Sequence, residues 1–224
     1  MKRQIRRGVF ESNSSSQHSL VVMKNDDHYT AQEILKGLYI QKDGVWDVCG
    51  LDFGREPFRA LGTFKMKWLY ACASLVEEYN DDAYKELEAL AFKYVPGLKR
   101  IELPMTTTCI INKDLEENKD YEYGKTEEEL NEYLEQKEKD WGIETIEYWE
   151  DKHGNFCFSI PYTGQTDEPF LQSFLEHENL SLEEYLTNKK YVIIQDGDEY
   201  CYWQDMKNAG LVNSDAIDHE YPDY

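Results

Sequence analysis

Apolar residues recur along this chain in two rhythms that alternate irregularly. Runs with a period of two, or short β-branched stretches, fall at residues 3–10, 19–24, 45–48, 99–103, 106–111, 144–149, 155–160 and 191–194, and each predicts a strand. The run Tyr191-Val192-Ile193-Ile194 lacks polar alternation, as expected of a strand covered on both faces. Spacings of three and four predict helices elsewhere. Residues 30–39 group Ile34, Leu35 and Leu38, and residues 58–79 align Phe64, Trp68, Ala71, Leu75 and Tyr79 on one face. A third helix starts at Asp81 or Asp82, whose carboxylates suit free amides there. It carries Tyr84, Leu87, Leu90, Ala91 and Tyr94 and stops at Pro96-Gly97.

Thr126-Glu127-Glu128-Glu129 has capping-box spacing and predicts a helix to about Asp140. Its stripe of Leu130, Tyr133 and Leu134 is narrow, so it is expected at the periphery. Ser181-Leu182-Glu183-Glu184 repeats the box, Pro169 opens a short helix through Glu176, and a last helix around residues 200–208 ends near Gly210. Loops are expected at residues 11–18 and 50–57, with turns at Asp43-Gly44 and at Asp151-Lys152-His153-Gly154, the latter closing a hairpin. Helices and strands are interspersed without a βαβ rhythm, which predicts an α+β fold: a mixed sheet with several packed helices. It is read as one domain over residues 1–214, followed by a loose acidic tail at 215–224. No repeat or low-complexity linker interrupts it.

Charge adds a boundary that hydropathy does not show. The 224 residues hold 45 acids and 24 bases, a formal net charge of -21. Residues 1–111 are neutral, with 15 of each sign, while residues 112–224 hold 30 acids against 9 bases. The step near residue 112 is the candidate subdivision, and it is steepest over 112–151, with 16 acids and 5 bases. Such a field repels phosphates and draws basic partners. It argues against direct binding of nucleic acid or of anionic membrane. A hydrophobic fraction of 41% excludes a disordered chain, and no apolar run reaches the roughly 18–20 residues of a membrane span. The basic start lacks the apolar segment of a signal peptide. Five cysteines without close pairs (Cys49, Cys72, Cys109, Cys157 and Cys201) predict buried free thiols in a reducing bacterial cytoplasm.

Candidate chemistry is densest at Asn13-Ser14-Ser15-Ser16-Gln17-His18-Ser19, with Arg6 and Arg7 just upstream. Hydroxyls, turn amides and guanidinium groups suit an anion, making Arg6, Arg7, Asn13, Ser14, Ser15, Ser16 and His18 the candidate ligand set. Catalysis would use Ser14 or Ser16 as nucleophile with His18 as base. The third reading is a polar loop satisfying its own backbone. The stretch from Arg7 to Ser19 resembles the N-terminal signature of uncharacterised proteins from phages and mobile elements of gut and Gram-positive bacteria, an arginine then VFETNSSS, a variable residue and HS. It departs only at Ser12, where threonine is usual, and covers 13 of the 224 residues. The resemblance implies a phage-type origin and carries no activity.

His18, His28, His153, His177 and His219 show no metal-ligand spacing, and neither common phosphate-loop motif is present. Asp196-Gly197-Asp198-Glu199 lacks the DxDxDG spacing of a calcium loop and reads as a turn. No metal or cofactor is expected. The leading expectation is an acidic accessory protein of inhibitory or host-takeover type. It would engage a basic host protein such as a nuclease or another nucleic-acid-binding defence protein, by presenting carboxylates where phosphates are expected. Glu127, Glu128, Glu129, Glu132, Trp141, Trp149, Asp196, Asp198 and Glu199 are the candidate partner-binding residues. The alternative is a small hydrolase or group transferase acting on a phosphorylated substrate at the Asn13–Ser19 loop.

Overall fold

The computed structural model describes residues 17–23, 25–53, 59–76, 81–166, 171–177, 179–196 and 208–209. In chain order the elements begin with β1 (Gln17–Val22), α1 (Ala31–Ile34), β2 (Val45–Asp47), β3 (Asp52–Phe53) and β4 (Arg59–Leu61). Next come α2 (Phe64–Leu75), α3 (Asp82–Tyr94), β5 (Arg100–Glu102), β6 (Met105–Ile110) and α4 (Glu127–Trp141). The chain closes with β7 (Tyr148–Glu150), β8 (Phe156–Pro161), β9 (Gln165–Thr166), α5 (Leu171–His177), α6 (Leu182–Thr187) and β10 (Tyr191–Asp196). The class is α+β. Two compact units share the chain, one drawn from Met1–Lys36, Asp52–Ser74 and Gln165–Tyr224, the other from Gly37–Leu51 and Leu75–Gly164. Residue 112 falls inside the second.

In the first unit β10 lies between β1 and β4, antiparallel to both, with Leu20 opposite Ile193 and Ala60 opposite Ile194. Ile193 and Ile194 are fully buried, as their unbroken apolar run requires. β3 and β9 form a short parallel pair. Helix α2 buries Phe64, Lys67, Trp68, Leu69, Tyr70, Ala71 and Cys72 in succession, so it is covered nearly all round rather than along one face. It is shorter than the 58–79 pattern suggests. Arg59–Leu61 pairs with β10 instead, and the Thr63 hydroxyl accepts the Met66 amide to start the helix. Helix α1 is likewise a single turn within 30–39. Thr30 and Glu33 cap it reciprocally, and Gly37 (φ 80°) turns the chain away.

The second unit joins β2 and β5 in parallel and places β8 between β6 and β7, antiparallel to both. Helix α4 lies on that three-stranded sheet. Leu130, Leu134 and Trp141 form its buried core with Ile146, Phe156 and Phe158. Its capping box is formed as expected, and Gly142 ends it in the left-handed conformation (φ 65°) that favours glycine. Asp81 caps α3 through the Tyr84 amide. The β7–β8 hairpin forms around Asp151, whose Oδ1 accepts the amides of His153 and Asn155.

The expectation for the cysteines is overturned. Cys109 and Cys157 are not free thiols but a disulfide, because the β6–β8 register sets them directly opposite at a Cα–Cα distance of 4.1 Å. Cys49 and Cys72 are not disulfide-bonded, the first exposed and the second buried. A separation of 48 residues gives no hint of such a pairing.

Candidate functional site

The acids that crowd residues 112–151 gather around α4. With Leu130 and Leu134 turned to the sheet, the rest of the helix surface exposes Glu128, Glu129, Glu132, Glu135 and Asp140, and Glu127 is exposed in the first turn on the side facing β7. The loop leading in is tied to the helix start, where Asp114 Oδ2 accepts the Glu127 amide at 3.0 Å. Buried Asn112 anchors that loop by donating to the Gly154 carbonyl and accepting the Asp114 amide. The Glu129 carboxyl is held below its ordinary range, first by the backbone amide of Thr126. The Tyr148 hydroxyl donates to Glu127 Oε1 at 2.8 Å, which raises the phenol's pKa and joins β7 to the helix.

Between α4 and the chain entering β7 runs a groove of about 570 Å³. Its floor is apolar, from Leu134 and Ile146, and its walls carry Glu135, Glu138 and Glu147. Glu138 is fixed by accepting the Ile146 amide at 2.7 Å. Glu135 and Glu147 form no ion pair among the described residues. In the loop that leads into α4, exposed Tyr121 and Tyr123 pack edge to face at 5.4 Å, and Trp149 is 46% exposed on the face of β7 turned away from α4. A slot with an apolar floor and carboxylate walls accepts the stem and head of a lysine or arginine.

Several predicted residues are brought into this region. Glu128, Glu129 and Glu132 are exposed along α4 and Glu127 is exposed in its first turn beside Tyr148, whereas Trp149 is at the surface on the face of β7 turned away from α4. Trp141 is not: it is 7% exposed and belongs to the core beneath the helix. Asp196 ends β10, in the other unit, and Asp198 and Glu199 lie outside the described residues. So do Arg6, Arg7, Asn13, Ser14, Ser15 and Ser16. The backbone of His18 pairs with Gln195 in β1, and its side chain is outside the described set. Tyr121, Tyr123, Glu135 and Glu147 were not singled out by sequence. The alternation Tyr121-Glu122-Tyr123, which sends both rings to one side, was the available signal.

The first unit treats charge differently. Lys67 is fully buried in α2 and donates to the carbonyls of Tyr185 (3.0 Å) and Asn188 (2.6 Å) at the end of α6. Its ammonium lies over the rings of Tyr29 and Tyr185, and burial lowers its pKa to about 7. A smaller cavity of about 400 Å³ opens beside Tyr29, Val192 and Lys189, but Lys189 is already paired with Glu33 at 2.7 Å. Comparison with protein-family models, curated proteins and solved structures returns no match. No helix among the described residues is long and apolar enough to cross a membrane.

Proposed function

We propose that the acidic side of the second unit is a docking surface for a basic, nucleic-acid-binding host protein, in an inhibitory or host-takeover role of phage type. The observation that carries this reading is the groove along α4, with an apolar floor and the carboxylates of Glu135 and Glu147, which form no ion pair among the described residues. A basic cleft that normally receives phosphates would meet carboxylates here and release its own counterions to them. Tyr121 and Tyr123, on either side of Glu122 in the loop that leads into α4, supply ring area, and rings beside charge are the combination that anchors interfaces. The acids then govern encounter rate and salt dependence.

The test is capture of bacterial host proteins on the immobilised chain across a salt series. A basic nucleic-acid-binding protein should be retained at about 50 mM salt and released by about 300 mM. Replacing Glu128, Glu132, Glu135 and Glu147 by glutamine together should weaken that partner about a hundredfold, while Ser14, Ser16 and His18 replaced by alanine should leave it bound. The opposite pattern would transfer the function to the serine-rich segment. No basic protein retained at low salt would end the docking proposal.

A further inference from the structure

The three-stranded sheet of the second unit has a second face. Phe156 and Phe158 point from β8 towards α4, so Cys157, between them, points the other way. Register places Cys109 of β6 on one side of it and Trp149 of β7 on the other. The turn that closes the hairpin brings Asp151 to the same place. One ligand atom from each of Cys109, Cys157 and Asp151 lies within 4.8 Å of the other two.

We infer that, when the disulfide is reduced, Cys109, Cys157 and Asp151 bind one thiophilic divalent cation of the zinc class. Two thiolates and a carboxylate are a donor set that favours such an ion over calcium or magnesium. Tetrahedral bonds of about 2.3 Å to sulfur and about 2.0–2.2 Å to oxygen put ligand atoms roughly 3.3–3.8 Å apart. Once the bond is broken the two sulfurs, in bonding contact in the disulfide, have to open to that spacing, while the carboxylate oxygen has to close by at most about 1 Å, and side-chain rotation supplies both. The carboxylate is already positioned, since its Oδ1 accepts two backbone amides at 2.8 and 2.9 Å. Cys109 is exposed and gives the ion its way in, while Cys157 is buried. Water completes the fourth position.

The chemistry balances as an exchange. A phosphine or dithiol gives two electrons and the solvent two protons, the sulfur–sulfur bond breaks, and two thiols form. The cation then displaces both thiol protons. Either state ties β6 to β8 at one register, so disulfide and metal are alternative clamps on the same pair of strands. The inference does not depend on the partner proposed above.

The test is titration of the full chain with Co²⁺ after reduction by a phosphine under anaerobic conditions. The expected result is a thiolate-to-cobalt charge-transfer band that saturates at one equivalent, is abolished by one equivalent of Zn²⁺, and is absent from the oxidised protein. Asp151→Asn retains the turn-forming oxygen and should still form the disulfide, yet bind Co²⁺ at least tenfold more weakly. Cys109→Ser should lose the band. If reduction loosens the fold, Zn²⁺ should restore the far-ultraviolet dichroism. The inference falls if the reduced, folded protein gives no band, or if Zn²⁺ fails to restore a loosened one. It falls equally if the band survives Cys109→Ser, which would assign it to other thiols, or if Asp151→Asn binds as tightly as the parent.

Discussion

Around the end of α6, in the first unit, each charge meets a counterpart. Lys67 is closed over by two carbonyls and two rings, Glu33 pairs with Lys189, and Glu184 holds both His28 and Asn188. Along α4, in the second unit, carboxylates face water with few cations among them. The sequence assigns 25 acids and 11 bases to the second unit and 20 acids and 13 bases to the first. The contrast teaches where each kind of charge belongs. Burial forces the first unit to satisfy Lys67 internally, because an unmatched charge in an apolar core is very costly, while the Glu33–Lys189 and Glu184–His28 pairs stay in contact with water. Exposure lets the second keep unmatched charge at the cost of only weak, screened repulsion.

The sharpest way to break this contrast is Lys67→Ala. It leaves the Tyr185 and Asn188 carbonyls without their donor and opens a hole, so unfolding in urea should show a loss of about 3–5 kcal/mol. Lys67→Met fills the volume and should recover about half. A loss below about 1 kcal/mol for the alanine variant would mean the lysine is not part of the core it occupies. Its pH dependence has a definite sign. The folded pKa of about 7 lies below the ordinary value of 10.5, so between them the unfolded chain binds more protons. The lysine's contribution therefore rises as pH climbs from 7 towards 10.5 and is flat below 7, and Lys67→Met should abolish that slope.

Thr126→Ala removes the side-chain half of the α4 capping box and should cost about 1 kcal/mol in thermal unfolding. The acids of α4 should behave in the reverse way. Changing Glu128, Glu132 and Glu135 to glutamine relieves like-charge repulsion at helical spacing, so the melting temperature should rise slightly at low salt and not at high salt. A fall instead would show that these carboxylates stabilise the fold and are not reserved for a partner. The smallest effect belongs to Glu129. Its carboxyl pKa is depressed, so its stabilisation is present above the ordinary 4.5 and lost as pH falls through the folded value. Glu129→Gln should flatten the acid limb of melting temperature against pH.

Much of this was legible in the chain. The strand at residues 191–194, the Asp81 and Thr126 caps and the hairpin at Asp151 follow from local rules, because a cap or a tight turn depends on neighbours in sequence. Helix α2 was misjudged in length because Arg59–Leu61 has a helical-looking flank, and only its pairing with β10 makes it a strand. The disulfide and the Cys109–Asp151–Cys157 cluster were invisible because register joins residues that spacing keeps apart. At the candidate site, acidity was plain from composition. Which acids line a groove, and that Trp141 lies beneath them, depended on how α4 rotates onto the sheet.

The position of β10 between β1 and β4 bears on how the protein is made. The strand at the middle of the first sheet is almost the last described segment to leave the ribosome, whereas every residue of the second unit has been synthesised by Gly164. The acidic unit is thus free to mature early, while β1 and β4 wait with unpaired edges for their shared neighbour. A stalled or shortened chain would therefore present two sticky strands and a finished acidic domain, a state in which aggregation competes with completion.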